Sequence, residues 1–353
     1  MKYFAAGKVS SMVLFTVFAA VFSVPARAGA NAAAQCARDY FQDSATRLDC
    51  YDHAYLSVTE AANSAAEPSP ATPPADRSYL TRVWNLDDLS NLDPSKLGRL
   101  HPYRLNYLLI SRTSSANRQP SSPLADHVSA APGDIDAQEA KFQLSVKADI
   151  GDKRNINFPG IKTLRFWGAY TQQSNWQIFN TRNSTPFRET VYEPELIATL
   201  GTGSSSGLKL INLGWLHQSN GKPLPESRSW NRIYLLGGWE WNDMTSITVR
   251  AWQRIPEVST QDDNPDIVDY LGRGDFFIRW EPRDKSQAVG LLLRNNLRKS
   301  ANRGFLQLDW ATPVRFGNSA RMHLQLTSGY GASMIDYNHH QNTIGLGFSF
   351  REW

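Results

Sequence analysis

From about residue 79 onward the chain is a series of short stretches in which apolar and polar side chains alternate. Phe142, Leu144, Val146, Ala148 and Ile150 alternate with polar residues over one stretch. In another, Leu208, Leu210, Asn212, Gly214 and Leu216 share a face, opposite Ile211, Leu213, Trp215 and His217. Near the C-terminus Ile344, Leu346, Phe348 and Phe350 alternate with Gly345, Gly347 and Ser349. A period of two is the signature of a strand. Such stretches fall near 102–112, 140–150, 162–173, 191–200, 208–219, 230–240, 245–254, 272–281, 288–297, 304–311, 320–329 and 341–351. The pattern predicts an all-β fold of about twelve strands, and no apolar run is long enough for a transmembrane helix.

Alternation alone also fits a soluble β-sandwich. Three features favour a closed antiparallel barrel in an outer membrane. The strand number is even, many strands are about ten residues long, and the 11 Trp and 13 Tyr could form interfacial girdles. The chain ends on an aromatic residue, Trp353, out of phase with the Ile344–Phe350 face.

The N-terminus adds a route out of the cytoplasm. Lys2 and Lys8 precede a short apolar run, Met12 to Val24, and Ala26-Arg27-Ala28 fits a cleavage site. Residues 1–28 therefore read as a signal peptide. Cys36 and Cys50 are the only cysteines, and in an oxidising compartment they read as a disulfide. They would staple an extension over 29–62, where Leu48, Tyr51, Tyr55 and Leu56 suggest a short helical pair. The Pro/Ala-rich segment 63–78 reads as a linker to a barrel over 79–353. Net charge is only +4, with no concentrated basic stripe, which gives no reason to expect nucleic acid.

Candidate chemistry concentrates between Ile211 and Tyr234. His217 and Ser219 are two apart on a predicted strand, so their side chains share a face. A loop follows from Asn220-Gly221, and a hairpin centred near Leu224 returns Asn231 opposite His217. A serine is a weak nucleophile until a base takes its proton, and histidine can do so near neutral pH. An asparagine can orient the imidazole as the third member of a triad. The competing reading is a hairpin of a non-enzymatic barrel, a small porin or adhesin. Gly203-Ser204-Ser205-Ser206-Gly207 formally matches a nucleophile elbow, but it lies between two strand patterns rather than before a helix.

His217-Gln218-Ser219-Asn220-Gly221, followed by Ser227-Arg228-Ser229-Trp230-Asn231-Arg232-Ile233-Tyr234, resembles the outer-membrane phospholipase A family. Tyr170-Thr171-Gln172, Pro186–Thr190 and Tyr192-Glu193-Pro194 match before it. Asp262–Ile267, Ser328–Gly331 and Ile335–Asn338 match after it, in the same order. The resemblance covers about residues 79–353 and leaves the cysteines unexplained. It implies a twelve-stranded barrel in a Gram-negative outer membrane, with Ser219, His217 and Asn231 as a triad on the lipid-facing wall. The implied activity is hydrolysis of phospholipid acyl esters, including A1, A2 and lysophospholipase reactions, activated by calcium (Ca2+) and homodimerisation. The implied calcium ligands are the Lys222 carbonyl, Ser227, Asp263 and, from the partner subunit, Ser184. Gln172 corresponds to a buried polar residue of the dimer interface. The chain departs from the pattern at Leu224, where many relatives carry an aspartate; Glu226, near in sequence, is the candidate substitute. Lys222 replaces a more usual arginine, but only its carbonyl would be needed.

Overall fold

A computed structural model describes residues 35–38, 43–53, 77–86, 98–182, 187–314 and 320–350, except the side chains of 152–155 and 157. The expected signal peptide, most of the expected linker, Ser184 and Trp353 lie outside the described residues. The chain divides into two compact units, residues 1–75 and 76–353. In the first, 35–38 and 44–53 are helical, and Cys36 and Cys50 form a disulfide with Cα atoms 5.7 Å apart.

The second unit is built from strands β1 (Leu100–Pro102), β2 (Tyr107–Thr113), β3 (Gln138–Phe158), β4 (Ile161–Trp176), β5 (Phe187–Gly201), β6 (Gly207–Ser219), β7 (Ser229–Asn242), β8 (Thr245–Ile255), β9 (Gly274–Trp280), β10 (Ala288–Asn295), β11 (Gly304–Pro313), β12 (Ala320–Tyr330) and β13 (His340–Phe350). From β2 to β13 each strand pairs antiparallel with the next, and β13 closes the ring on β2. The short β1 pairs with β3 beyond the end of β2, so β1 and β2 together form one interrupted stave. The barrel thus has twelve staves, at the positions that the alternation predicts. Among the described residues, long connections gather at one rim (114–137, 177–182, 220–228, 256–273, 296–303, 331–339), and short turns at the other. Gly203–Ser206 lies in one of those turns and Gly207 opens β6, with strands on both sides and no helix after it.

Hydrophobicity is inverted relative to a soluble protein. Leu108, Ile110, Leu213, Trp215, Ile233, Leu235, Trp310, Leu346 and Phe348 all face outward and are exposed. The interior holds buried charge in compensating sets. Arg104 pairs with Glu193 and Glu195, and Arg250 with Asp275. Arg279 and Arg321 share Glu281, each at 2.6 Å. Water offers no reason for an apolar outer wall around a charged interior; lipid does. No helix among the described residues is long and apolar enough to cross a membrane, so strands alone make the crossing.

The lumen is obstructed. The Tyr79–Trp84 helix places Leu80 and Trp84, one turn apart, against Trp167, Ile197 and Leu210. The Leu80 N–H donates to Glu240 at 2.8 Å. Lys147 Nζ lies 3.4 Å from the Trp84 ring centroid and 4.4 Å from that of Trp167. This contact of the Lys147 head group with two indoles ties the helix to the wall.

Candidate active site

The site sits where β6 and β7 reach the long-loop rim. Strand parity decides which side chains meet the lipid. Leu213 and Trp215 point outward on β6, and His217 and Ser219 continue that row. Ile233 and Leu235 point outward on β7, and Asn231 continues theirs. The ladder pairs His217 with Asn231 and Ser219 with Ser229. The structure therefore brings His217 and Asn231 into contact on the outer wall and places Ser219 on the same face.

His217 Nδ1 and Asn231 Oδ1 are 3.0 Å apart. An amide oxygen only accepts, so Nδ1 carries the proton in this contact and Nε2 is left with its lone pair. Among the described residues Ser219 Oγ has no hydrogen-bond partner. Catalytic hydrogen bonds are often long in an unliganded site and tighten when substrate binds.

The inward row makes the wall behind the trio rigid. Leu216 and Trp230 enter a buried cluster with Val191, Tyr234, Trp252, Ile267, Leu271, Met334 and Tyr337. Gln218, between His217 and Ser219, points inward and is fully engaged. Its Oε1 accepts from Trp230 Nε1 at 2.7 Å and Arg232 Nη2 at 3.0 Å, while Nε2 donates to Glu193 at 2.7 Å. Sequence reading missed this role, although the polar residue between two same-face candidates was visible.

The loop after Ser219 is organised by buried Asn220. Its Oδ1 accepts from the Arg228 N–H at 3.0 Å and the Lys222 N–H at 3.3 Å, and its Nδ2 donates to the Glu226 carbonyl at 2.8 Å. Gly221 has φ +63°, and a Cβ there would meet the Tyr192 ring at 3.1 Å. Only glycine takes that backbone conformation and that approach without strain.

Two of the expected calcium ligands meet. Ser227 Oγ donates to Asp263 Oδ2 at 2.7 Å, and Ser229 Oγ reaches the same oxygen at 3.2 Å. Asp263 Oδ1 lies 3.1 Å from His127 Nε2, and its carbonyl accepts from Ser122 Oγ at 2.6 Å. His127 and Ser122, on the long 114–137 connection, were not anticipated. Leu224 is exposed, and the Glu226 carboxylate is ion-paired with Lys222. Among the described residues no three His, Cys, Asp or Glu side chains cluster as a metal site. A cation here would therefore depend on hydroxyl and carbonyl oxygens as well. Gln172 faces outward on β4, where its Oε1 accepts from Tyr170 OH at 3.1 Å.

Residues 80–350 match the sequence model of the family described as phospholipase A1. The chain belongs to that family. The phospholipase A1 of Escherichia coli K12 is 34% identical over 256 residues, covering 70% of this chain and 80% of that protein. Among solved structures, outer membrane phospholipase A from Escherichia coli superposes with a TM-score of 0.59 at 30% identity, over 71% of this chain and 98% of that one. The Salmonella typhi outer membrane phospholipase, a dimer with bound calcium, gives 0.60 at 30% identity over 76% and 96%. Membership of the phospholipase A1 family sets aside the non-enzymatic barrel.

Proposed function

We propose that the protein is an outer-membrane phospholipase A whose nucleophile is Ser219, with His217 as general base and Asn231 as the residue that orients it. The observation that carries this reading is the His217–Asn231 hydrogen bond on a lipid-facing wall, with Ser219 on the same face. The phospholipase A names and titles of its relatives support the substrate class.

Ser219 Oγ attacks the acyl ester carbonyl while His217 Nε2 takes its proton. The imidazolium then gives that proton to the departing lysophospholipid oxygen. Water deacylates the serine with His217 again as base. A backbone N–H of the loop after Ser219 would stabilise the developing oxyanion. The acyl chains stay among the leaflet's own, because the trio continues the rows of Leu213, Trp215, Ile233 and Leu235.

The relative with bound calcium supports a calcium site here. Ser227 and Asp263 already adjoin, and hydroxyl, carboxylate and carbonyl oxygens suit this hard cation. The Lys222 carbonyl and Ser184 of the partner subunit would complete the set, and Gln172 would lie in the dimer interface. Bound calcium supplies Lewis-acid stabilisation to the oxyanion.

The test is Ser219→Ala, purified and assayed on phospholipid mixed micelles with calcium. Activity is expected to fall to background with the barrel intact. Wild-type acyl hydrolysis by this variant would overturn the assignment.

A further inference from the structure

We infer that Glu257 is a positioning residue of the site: its carboxylate fixes the Asn231 amide and supplies the negative charge that the amide lacks. This rests on the Ser219–His217–Asn231 reading and extends it by one member.

The geometry is a chain of three groups from three elements. Asn231 Nδ2 donates to Glu257 Oε1 at 3.1 Å, and Asn231 Oδ1 faces His217 Nδ1 at 3.0 Å. A carboxylate offers no donor, so only the NH2 side of the amide can face it. The oxygen must then face the imidazole. An unanchored asparagine could turn its NH2 toward Nδ1, which would favour the tautomer with the proton on Nε2 and remove the base. Glu257 blocks that flip.

The fold delivers Glu257 to this place. The ladder pairs Asn231 with Ile255, the last residue of β8, and Glu257 follows two residues on in the 256–273 loop. Its side chain is 19% exposed. The charged groups around it are few. Arg254 Nη2 stands 4.0 Å away but is held by Asp262, and of the loop's other acids (Asp262, Asp263, Asp266 and Asp269) Asp262 and Asp263 act on it. Burial raises the Glu257 carboxyl above its ordinary value. The bland role, an acid that merely secures a loop, predicts no change in the ionisation of His217. The inferred role does, because a negative charge behind the amide favours the imidazolium formed as Ser219 loses its proton.

The experiment measures kcat and KM against pH for Glu257→Gln, Glu257→Ala, Asn231→Ala and the Asn231→Ala/Glu257→Ala double variant, on phospholipid micelles with calcium. Glu257→Gln keeps an acceptor for Asn231 but removes the charge. It is expected to keep KM, to lower kcat roughly threefold to tenfold, and to move the acid limb of kcat/KM down by about half a pH unit. Glu257→Ala should lose more, since the amide is then free to turn. In the Asn231→Ala background, Glu257→Ala should change kcat less than about twofold, because its route to His217 is gone. A wild-type kcat and acid limb in Glu257→Gln, or additive losses in the double variant, would overturn the inference. Either result would leave the triad standing, since that depends on Ser219→Ala.

Discussion

His217 and Asn231 face each other across the β6–β7 ladder, with Nδ1 and Oδ1 3.0 Å apart on the lipid-facing side of the wall. Their neighbours Leu216 and Trp230 point the other way into a packed cluster. The hydrogen bond is therefore held by two strands that cannot shift without disturbing that cluster. Asn231→Ala should lower kcat about tenfold to a hundredfold with KM nearly unchanged, less than the loss from Ser219→Ala, because the base itself remains. Steady-state kinetics on defined phospholipids checks this.

Ser227 and Asp263 share a 2.7 Å hydrogen bond, and Asp263 is braced further by Ser122 and His127. Ser227→Ala removes one hydroxyl oxygen and leaves that bracing in place. The calcium concentration for half-maximal hydrolysis should rise about tenfold or more, with near-normal kcat at saturation. A calcium titration of activity reads the shift.

Acid should weaken the tie between the 331–339 connection and β5 through Asp336, which pairs with Arg188. Burial acts to raise its carboxyl, but the Arg188 guanidinium at 2.6 Å and hydrogen bonds such as that from Ser333 outweigh burial and hold it below the ordinary 3.8. A folded value below the unfolded one means that the unfolded chain binds the proton more readily. The stabilisation is thus present above pH ~4 and is lost as pH falls through the lowered folded value. Arg188→Gln should be less stable than the wild type at neutral pH, and the gap should close below pH ~4. Urea unfolding at several pH values tests the sign.

Leu346 lies mid-strand on the outer wall and is 53% exposed, between Leu324 and Ile110 in the ladder. If lipid covers it, Leu346→Arg should destabilise the barrel by up to about 4 kcal/mol in bilayers. An aqueous surface would tolerate the change within about 0.5 kcal/mol. Unfolding from liposomes separates these outcomes.

Much of the fold was legible because the strand repeat is simple. Twelve alternating stretches give twelve staves, and parity alone places His217 and Ser219 on one face. The interruption of the first stave at 103–106 was marked locally only by Pro102, which cannot donate to the ladder, and its length depends on Tyr103 leaving for the Glu195 carboxylate. Alternation also could not say which face is outer. In a barrel either row can be the apolar one, and only the inward convergence of Arg, Glu and Asp from distant strands decides it.

For the site, the sequence by itself determined the same-face pair His217 and Ser219, the return of Asn231 in register, and the family motifs around them. These depend on local spacing and on one hairpin, which a chain specifies over a few tens of residues. Only the tertiary structure decided that Gln218 anchors the pair from behind, that His127 reaches Asp263, and that Glu257 stands behind Asn231. Beyond the hairpin contacts of Gln218 with Trp230 and Arg232, the partners Glu193, His127 and Glu257 lie between 25 and 136 residues from the groups they meet. Such distances along the chain carry no period, and closure of the barrel and the knitting of its rim loops bring the groups together.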